Sequence, residues 1–198
     1  EQYKDAAVQG IRLLLELTET DPIPEDMIDS VKMGTTVATN ALLERKGDRT
    51  ALLINEGLKD LLRVGYQNRP KLFDLEIKKQ SAIYEDVVEI PGRLDSKGLE
   101  ITRLDEQLAR SVLLSSFKSG FRSVAIAFIH SYLNSSHENR VAEIAREVGY
   151  TQISTSSGTS RLIKLVSRGD TTVVDAYLSP ILRRYINQVS EELKADKG

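Results

Sequence analysis

The spacing of apolar residues changes along the chain and predicts alternating helices and strands. Apolar side chains recur at steps of three and four over residues 5–17, which predicts a helix with one buried face. Residues 28–33 carry a short apolar run typical of a strand, and Gly34 then opens a turn. A helix is expected over residues 37–45, with Gly47 as its stop. The amino-terminal part therefore begins as helix, strand and helix.

The alternation continues and then gives way to a middle region of a different kind. Residues 50–54 form a compact apolar run of strand length, and leucines at helical spacing over residues 58–62 precede Gly65. Residues 66–102 have no helical period. A strand-like run at residues 83–90 therefore predicts strands and loops in this region.

Helical and strand spacing return in the second half of the chain. Residues 104–117 predict a helix, and the continuous apolar run 124–129 predicts a buried strand. Ser135 or Ser136 can cap the next helix, which Gly149 closes.

The last quarter combines a short strand, a polar stretch and a long helix. Residues 152–154 predict the strand, and residues 154–160 read as a flexible loop, with anion contact as the less favoured alternative because no lysine completes a phosphate loop. Residues 171–193 predict a long helix that Pro180 should bend or divide.

This order of elements predicts an α/β fold, a layered mixed sheet with flanking helices. We expect a helix–strand–helix–strand unit over about residues 1–65 and a strand and loop region over about 66–103. An α/β unit should follow over about 104–155, and a helical segment over about 171–195.

Composition narrows the functional classes. The 198 residues carry 27 basic and 29 acidic side chains in scattered order, a net charge of −2, which gives no electrostatic reason to expect nucleic acid or an anionic membrane as a partner. No apolar run approaches the roughly 20 residues that cross a bilayer. The chain has no cysteine, which fits a reducing compartment, and only two histidines, so no metal site is expected. We expect a cytoplasmic protein.

The turn that enters the second predicted helix is the strongest candidate for binding chemistry. It places Gly34, Thr35, Thr36, Thr39 and Asn40 where backbone N–H groups and hydroxyls can contact a phosphate, carboxylate or carbonyl oxygen. Helix capping is the structural alternative, because threonine and asparagine are ordinary caps.

Further candidates lie in later segments. Arg69 precedes a proline and could pair with a carboxylate or phosphate in bidentate fashion, or be a surface cation. His130 follows the buried strand and marks its end near a possible cleft. Asp170 can cap the last helix, and Arg168 can pair with a carboxylate. The secondary candidates are His130, Arg168, Asp170 and Asp175, whereas His137 and Glu138 start a helix and favour a structural reading.

Several segments, in order, resemble the amino-terminal region of the hydantoinase and 5-oxoprolinase family. Within that family the chain is most similar to the ATP-dependent 5-oxoprolinases of the long single-polypeptide type, and the resemblance covers nearly all 198 residues. The segments are residues 33–47, 51–54, 57–62, 69–75, 130–132, 137–138, 168–170 and 175–180.

The resemblance implies an enzyme, ATP-driven opening of the lactam of 5-oxo-L-proline to L-glutamate. It also implies an actin-like or sugar-kinase-like ATPase architecture, Mg²⁺ and a monovalent cation such as K⁺ as cofactors, a homodimer when intact, and a place in glutathione metabolism. Gly34, Thr35, Thr36, Thr39 and Asn40 match the family's turn and would line the nucleotide or substrate cleft.

One departure limits these implications. The Asp-x-Gly-Gly-Thr hairpins that grip phosphate in such ATPases do not occur in this sequence. We therefore expect an excised internal piece that is inactive alone, binds no cofactor strongly and depends on the remainder of the polypeptide. The alternatives are a hydantoinase or acetone carboxylase type subunit, and a non-catalytic scaffold whose last helix would expose the apolar stripe Val173, Val174, Tyr177 and Leu178.

Overall fold

The structure is a computed structural model that describes residues 6–21, 23–24, 28–67, 73, 79 and 81–194. It divides into two units, one formed by Glu1–Glu44 with Ile181–Gly198 and the other by Arg45–Pro180. The helices are α1 (Ala6–Leu14), α2 (Val37–Leu43), α3 (Leu61–Val64), α4 (Glu106–Lys118), α5 (Ser136–Val148), α6 (Ser156–Thr159) and α7 (Leu165–Lys194). The strands are β1 (Thr50–Asn55), β2 (Asp86–Ile90), β3 (Arg93–Leu94), β4 (Glu100–Thr102), β5 (Ser123–Ala127) and β6 (Gln152–Thr155).

A four-stranded parallel sheet organises the larger unit, with strand order β2-β1-β5-β6. Every residue of the two central strands, β1 and β5, is buried, which explains their continuous apolar runs. The antiparallel pair β3–β4 forms a separate two-stranded sheet. The predicted layered α/β fold is confirmed.

Helices cover both faces of this sheet. Alternate side chains of a strand point to opposite faces, so Leu53 and Ile126 join one buried cluster while Leu52 and Ala125 join another. The first cluster includes apolar residues of α4 and α5, and the second includes residues of α7. The sheet is therefore the middle layer of three.

A small core holds the other unit together. Val8 of α1 is buried with Ile23 and with Val189 in the last part of α7. The helix predicted over residues 5–17 is thus confirmed for Ala6–Leu14.

The strand predicted over residues 28–33 is wrong. Residues 28–36, all described, contain neither helix nor strand. Val31 and Met33 are 41% and 40% exposed, so the segment lacks the buried face that stabilises a strand.

Gly47 has a different role from the helix stop that its position suggested. The second helix ends at Leu43, and Arg45 rather than glycine adopts a left-handed conformation after it, with φ 57°. A Cβ atom on Gly47 would lie 2.0 Å from Cε1 of Tyr177. Glycine is required here because the backbone packs directly against an aromatic ring.

The polar stretch 154–160 is not the flexible loop that its composition predicted. Strand β6 continues to Thr155, and α6 follows at once. Ser156 and Ser157 are buried, because their polar groups have partners inside the protein, described below.

The last helix begins earlier than predicted and runs continuously through Pro180. Asp170 therefore lies inside α7 and cannot cap it. Val173 and Tyr177 are only 2% and 6% exposed, so the exposed apolar stripe expected of a docking scaffold is not formed by them. Among the described residues, no helix is both long and apolar enough to cross a membrane.

Candidate functional site

Polar side chains concentrate where the parallel strands end. The carboxyl ends of such strands are where α/β proteins bind ligands. Asn55, the last residue of β1, is 2% exposed and joins two neighbouring strand ends. Its Nδ2 donates to the carbonyl oxygen of Gly92 at 2.7 Å, and its Oδ1 accepts from the backbone N–H of Ile129 at 2.6 Å. This one amide side chain therefore links the carboxyl end of β1 to the backbone segments that follow β2 and β5.

Glu138 holds together the backbone segments that follow β5 and β6. Its side chain, on the first turn of α5, is fully buried. Oε1 accepts from the N–H of Phe128 at 2.8 Å and from the hydroxyl of Ser156 at 2.5 Å, and Oε2 accepts from the N–H of Ser157 at 2.8 Å. Three donors satisfy the carboxylate, which is how a buried charge of this kind is tolerated.

Arg168 completes the same network. It is fully buried near the start of α7 and donates through Nε to the Ser156 hydroxyl at 2.8 Å and through Nη2 to the carbonyl oxygen of Phe128 at 2.6 Å. Its guanidinium also lies 5.6 Å from the centre of the Tyr132 ring. Burial lowers the pKa of Arg168, while the charge of Glu138 acts to raise it. The sequence suggested a carboxylate partner for Arg168. That partner is Glu138, and the Ser156 hydroxyl bridges the two side chains by accepting from Arg168 and donating to Glu138.

His130 lies on this edge, three residues after β5. Its backbone has φ 60°, an uncommon conformation for a residue with a side chain. Its ring centre is 6.1 Å from that of Tyr132. The Nδ1 atom is buried and has no hydrogen-bond partner among the residues that the structure describes. The position near the end of the strand agrees with the sequence interpretation.

The threonine turn belongs to the other unit, and its contacts are local. Thr35 Oγ1 accepts from the N–H of Val37 at 3.2 Å, and Asn40 Nδ2 donates to Thr36 Oγ1 at 3.4 Å. The turn is solvent-exposed, and its side chains both support α2 and remain accessible to a ligand. The exposed residues are Gly34, Thr35, Thr36, Thr39 and Asn40.

The remaining sequence candidates divide into three cases. Arg69 lies outside the described residues. Asp170 is inside α7, and desolvation raises its pKa. Asp175 accepts from the hydroxyls of Ser154 at 2.6 Å and Ser179 at 2.8 Å, which ties β6 to α7. Of the secondary candidates, His130 and Arg168 are brought together at the sheet edge.

His137 lines a separate surface pocket of about 330 Å³. It is 7% exposed, and its Nε2 lies 2.9 Å from Oε1 of Glu100. Arg140 in the same pocket is paired with Glu106 and Glu143. The Arg140 guanidinium is paired with two carboxylates and the His137 ring has Glu100 as its hydrogen-bond partner, which agrees with the structural interpretation of His137. The described residues contain no group of three or more His, Cys, Asp or Glu side chains that could hold a metal ion.

Asn55 directly follows the apolar run of residues 50–54 and was not among the candidates, and Ser156 lies in the stretch 154–160 that was predicted to be a loop. The available signal was position: a single polar residue that follows a fully apolar strand is a candidate for the ligand-facing edge.

The fold and this edge define a parallel α/β domain whose buried polar residues gather at the strand carboxyl ends. A family model described as the hydantoinase/oxoprolinase N-terminal region matches residues 2–149. The chain belongs to this family.

Individual relatives agree with the family. A 5-oxoprolinase of Saccharomyces cerevisiae is 39% identical over 96% of this chain and 17% of its own length. A 5-oxoprolinase of Dictyostelium discoideum is 39% identical over 100% of this chain and 18% of its own. The crystal structure of an ATP-dependent caprolactamase from Pseudomonas jessenii has a TM-score of 0.78 and 27% identity over 97% of this chain and 29% of that one. The chain thus spans less than a fifth of the length of these two 5-oxoprolinases.

Proposed function

We propose that this chain acts as part of an ATP-dependent hydrolase that opens the lactam of 5-oxo-L-proline to L-glutamate. The observation that carries this proposal is the 39% identity with a yeast 5-oxoprolinase over 96% of the chain. The related structure of an ATP-dependent caprolactamase supports the same substrate class, because caprolactam is also a cyclic amide. The activity is proposed for the whole polypeptide, since the chain spans 17% of the yeast relative.

The chemistry explains why ATP would be needed. A lactam carbonyl is stabilised by resonance and resists attack by water, and ATP with Mg²⁺, helped by K⁺, would supply phosphoryl activation of its oxygen. The described residues contain no acidic or histidine cluster of the size that a metal needs, and the sequence has no Asp-x-Gly-Gly-Thr hairpin. We therefore assign neither the phosphate-gripping hairpins nor a metal site to the described part of this chain.

The proposed contribution of this chain is orientation of bound ligands. The hydroxyls and amide of Thr35, Thr36, Thr39 and Asn40 are accessible donors, and backbone approach at Gly34 is open because a Cβ there would meet nothing within 4 Å. Such donors hold a substrate in line for reaction without forming bonds to it. Arg69 would add a charge partner for a carboxylate or phosphate.

The partners follow from the same proposal. ATP and 5-oxo-L-proline would be the small-molecule ligands, and the remainder of the polypeptide, in a cytoplasmic homodimer, would supply the phosphate grip. A role in glutathione turnover follows from this activity.

Assay of the full polypeptide tests the proposal. Purified enzyme with ATP, Mg²⁺ and K⁺ should release L-glutamate from 5-oxo-L-proline with matching formation of ADP, and omission of ATP should abolish release. Residues 1–198 alone should give no turnover. A full polypeptide that consumes ATP with hydantoin or acetone, but not with 5-oxo-L-proline, would instead favour the hydantoinase or acetone carboxylase alternative.

A further inference from the structure

The segment that leads into the threonine turn has backbone groups without partners. Residues 29–35 make no backbone–backbone hydrogen bond within the described part of the chain. All of them are exposed, and none has a φ in the left-handed region. The segment contains no proline, so every N–H is available for pairing. It therefore offers unpaired N–H and C=O groups, as the edge of a sheet does.

The side chains of this segment alternate as those of a half-buried strand do. Val31 and Met33 are separated by Lys32, and they are 41% and 40% exposed. In an extended chain, residues two apart lie on one face, so the two apolar side chains share a face and Lys32 lies on the other. An apolar face beside unpaired backbone groups is the surface that a neighbouring strand covers.

The unit around this segment also lacks cover for its apolar residues. Among the described residues of the unit, the buried apolar ones are Val8, Ile23, Ala41 and Val189. The large exposed ones are Leu13, Leu14, Val31, Met33, Leu43 and Ile186. Single exposed apolar residues are ordinary, but a unit that exposes more large apolar side chains than it buries has a surface that another part of the protein covers.

The length of the relatives indicates where that cover comes from. The chain spans 17% of the yeast 5-oxoprolinase and 29% of the caprolactamase chain, so most of such a polypeptide lies outside residues 1–198. A segment of the same polypeptide is present at a high effective concentration, whereas a second copy has to bind from solution. A helix could cover the two apolar side chains, but it would leave the backbone groups beneath it unpaired. A strand covers the side chains and pairs with the backbone.

We propose that residues 29–34 pair along one edge with a β-strand supplied by the part of the polypeptide outside residues 1–198. Apolar side chains of that strand cover Val31 and Met33. The pairing ends at Gly34, where the threonine turn begins, and it fixes the position of this turn, whose own hydrogen bonds are local. The inference rests on the part of the proposed function that makes this chain one section of a longer polypeptide, and it does not depend on the substrate.

Hydrogen exchange in the full polypeptide tests the pairing without an activity assay. Alternate amides of residues 29–35 should exchange at least about 100-fold more slowly than those of an unstructured chain. V31P and K32P are a matched pair, because neighbouring residues of a strand direct their N–H groups to opposite edges and proline has no N–H. One variant should lower this protection by at least about tenfold, and the other should retain most of it.

A photo-crosslinking amino acid, p-benzoylphenylalanine, at position 32 identifies the partner, since side chains on paired strands lie about 5 Å apart. We expect cross-links to residues of the same polypeptide outside residues 1–198, in a product with the mass of one polypeptide.

Four results would overturn the inference: exchange of all these amides at the unstructured rate, equal losses of protection in V31P and K32P, cross-links confined to residues 1–198, or a cross-linked product of double mass, which would assign the segment to a second copy. A polypeptide that passes these tests but does not open 5-oxo-L-proline would overturn the proposed function alone.

Discussion

The hydroxyl of Ser123 in β5 donates a hydrogen bond to the carbonyl oxygen of Ala176 in α7. Ala176 precedes Pro180 by four residues, and proline has no N–H to give to that carbonyl. The strand therefore supplies the donor that the helix lacks. This contact explains how α7 continues through a buried proline that was expected to bend or divide it.

Loss of that hydroxyl should destabilise the chain in a way that depends on Pro180. S123A leaves the buried Ala176 carbonyl without its partner and should lower the free energy of unfolding by about 1–3 kcal/mol. In a P180A background, the restored N–H can bind the same carbonyl, so the S123A effect should shrink. Urea unfolding of the four proteins of this double-mutant cycle measures the coupling. Equal S123A effects in both backgrounds would contradict the conclusion that Ser123 replaces the N–H donor that Pro180 lacks.

Glu138 should be among the most sensitive positions for stability. Its two oxygens accept from three donors, so the NH₂ group of glutamine in E138Q must face at least one of them. Removal of the charge also leaves Arg168 buried without its nearby anion. We expect a loss of about 2–4 kcal/mol in thermal or urea unfolding. Glu143, exposed on the same helix, is the matched control, and E143Q should change stability little.

Tyr150 should make the chain sensitive to alkaline pH. Burial raises the pKa of Tyr150 to about 12, from an ordinary value near 10. Between those values the unfolded chain loses the proton first, so stability falls as pH rises through about 10 to 12, by roughly 2 kcal/mol. Y150F should remove this loss. At neutral pH it should cost about 1 kcal/mol, since the hydroxyl donates to the carbonyl of Leu113 at 3.0 Å.

Unfolding of both proteins across pH 8–12 tests this prediction, and the difference between them isolates Tyr150 from the other tyrosines and lysines. The gap between the two proteins should close or reverse above about pH 11. Parallel curves over the whole range would show that Tyr150 does not titrate as described.

The threonine turn should affect activity more than stability. Thr35 and Asn40 are exposed and make single local hydrogen bonds, so T35V and N40A should change the free energy of unfolding by at most about 1 kcal/mol. Activity of the full polypeptide with 5-oxo-L-proline should fall by at least about tenfold. T35S keeps the hydroxyl and should retain activity. Losses of stability that match the losses of activity would favour simple helix capping.

Sequence periodicity predicted the central elements well, and it failed where partners lie far along the chain. The apolar runs of β1 and β5 and the glycine closing α5 have local causes, and these predictions are confirmed. The wrong strand over residues 28–33 had apolar residues but no neighbour to cover them. The stretch 154–160 was predicted to be a loop because the partners of its buried serines lie far along the chain: Glu138 is 18 residues from Ser156, and Asp175 is 21 residues from Ser154.

The candidate site shows the same division. The sequence pointed to His130 at the end of a strand and to a threonine-rich turn before α2. It could not indicate that Asn55, Glu138 and Arg168 would meet around one backbone segment, because those residues come from separate elements. Whether the threonine turn and Arg69 line a cleft stays a prediction.

The sequence by itself determined the layered α/β class and the family, because apolar periodicity and ordered segments are local properties of the chain. The tertiary structure decided which polar residues are buried and satisfied at the strand ends, since hydrogen bonds between distant elements exist only once the sheet and helices pack. Ser123 and Pro180 illustrate the difference: neither residue's neighbours in sequence indicate that a strand hydroxyl would complete the hydrogen bonding of a helix.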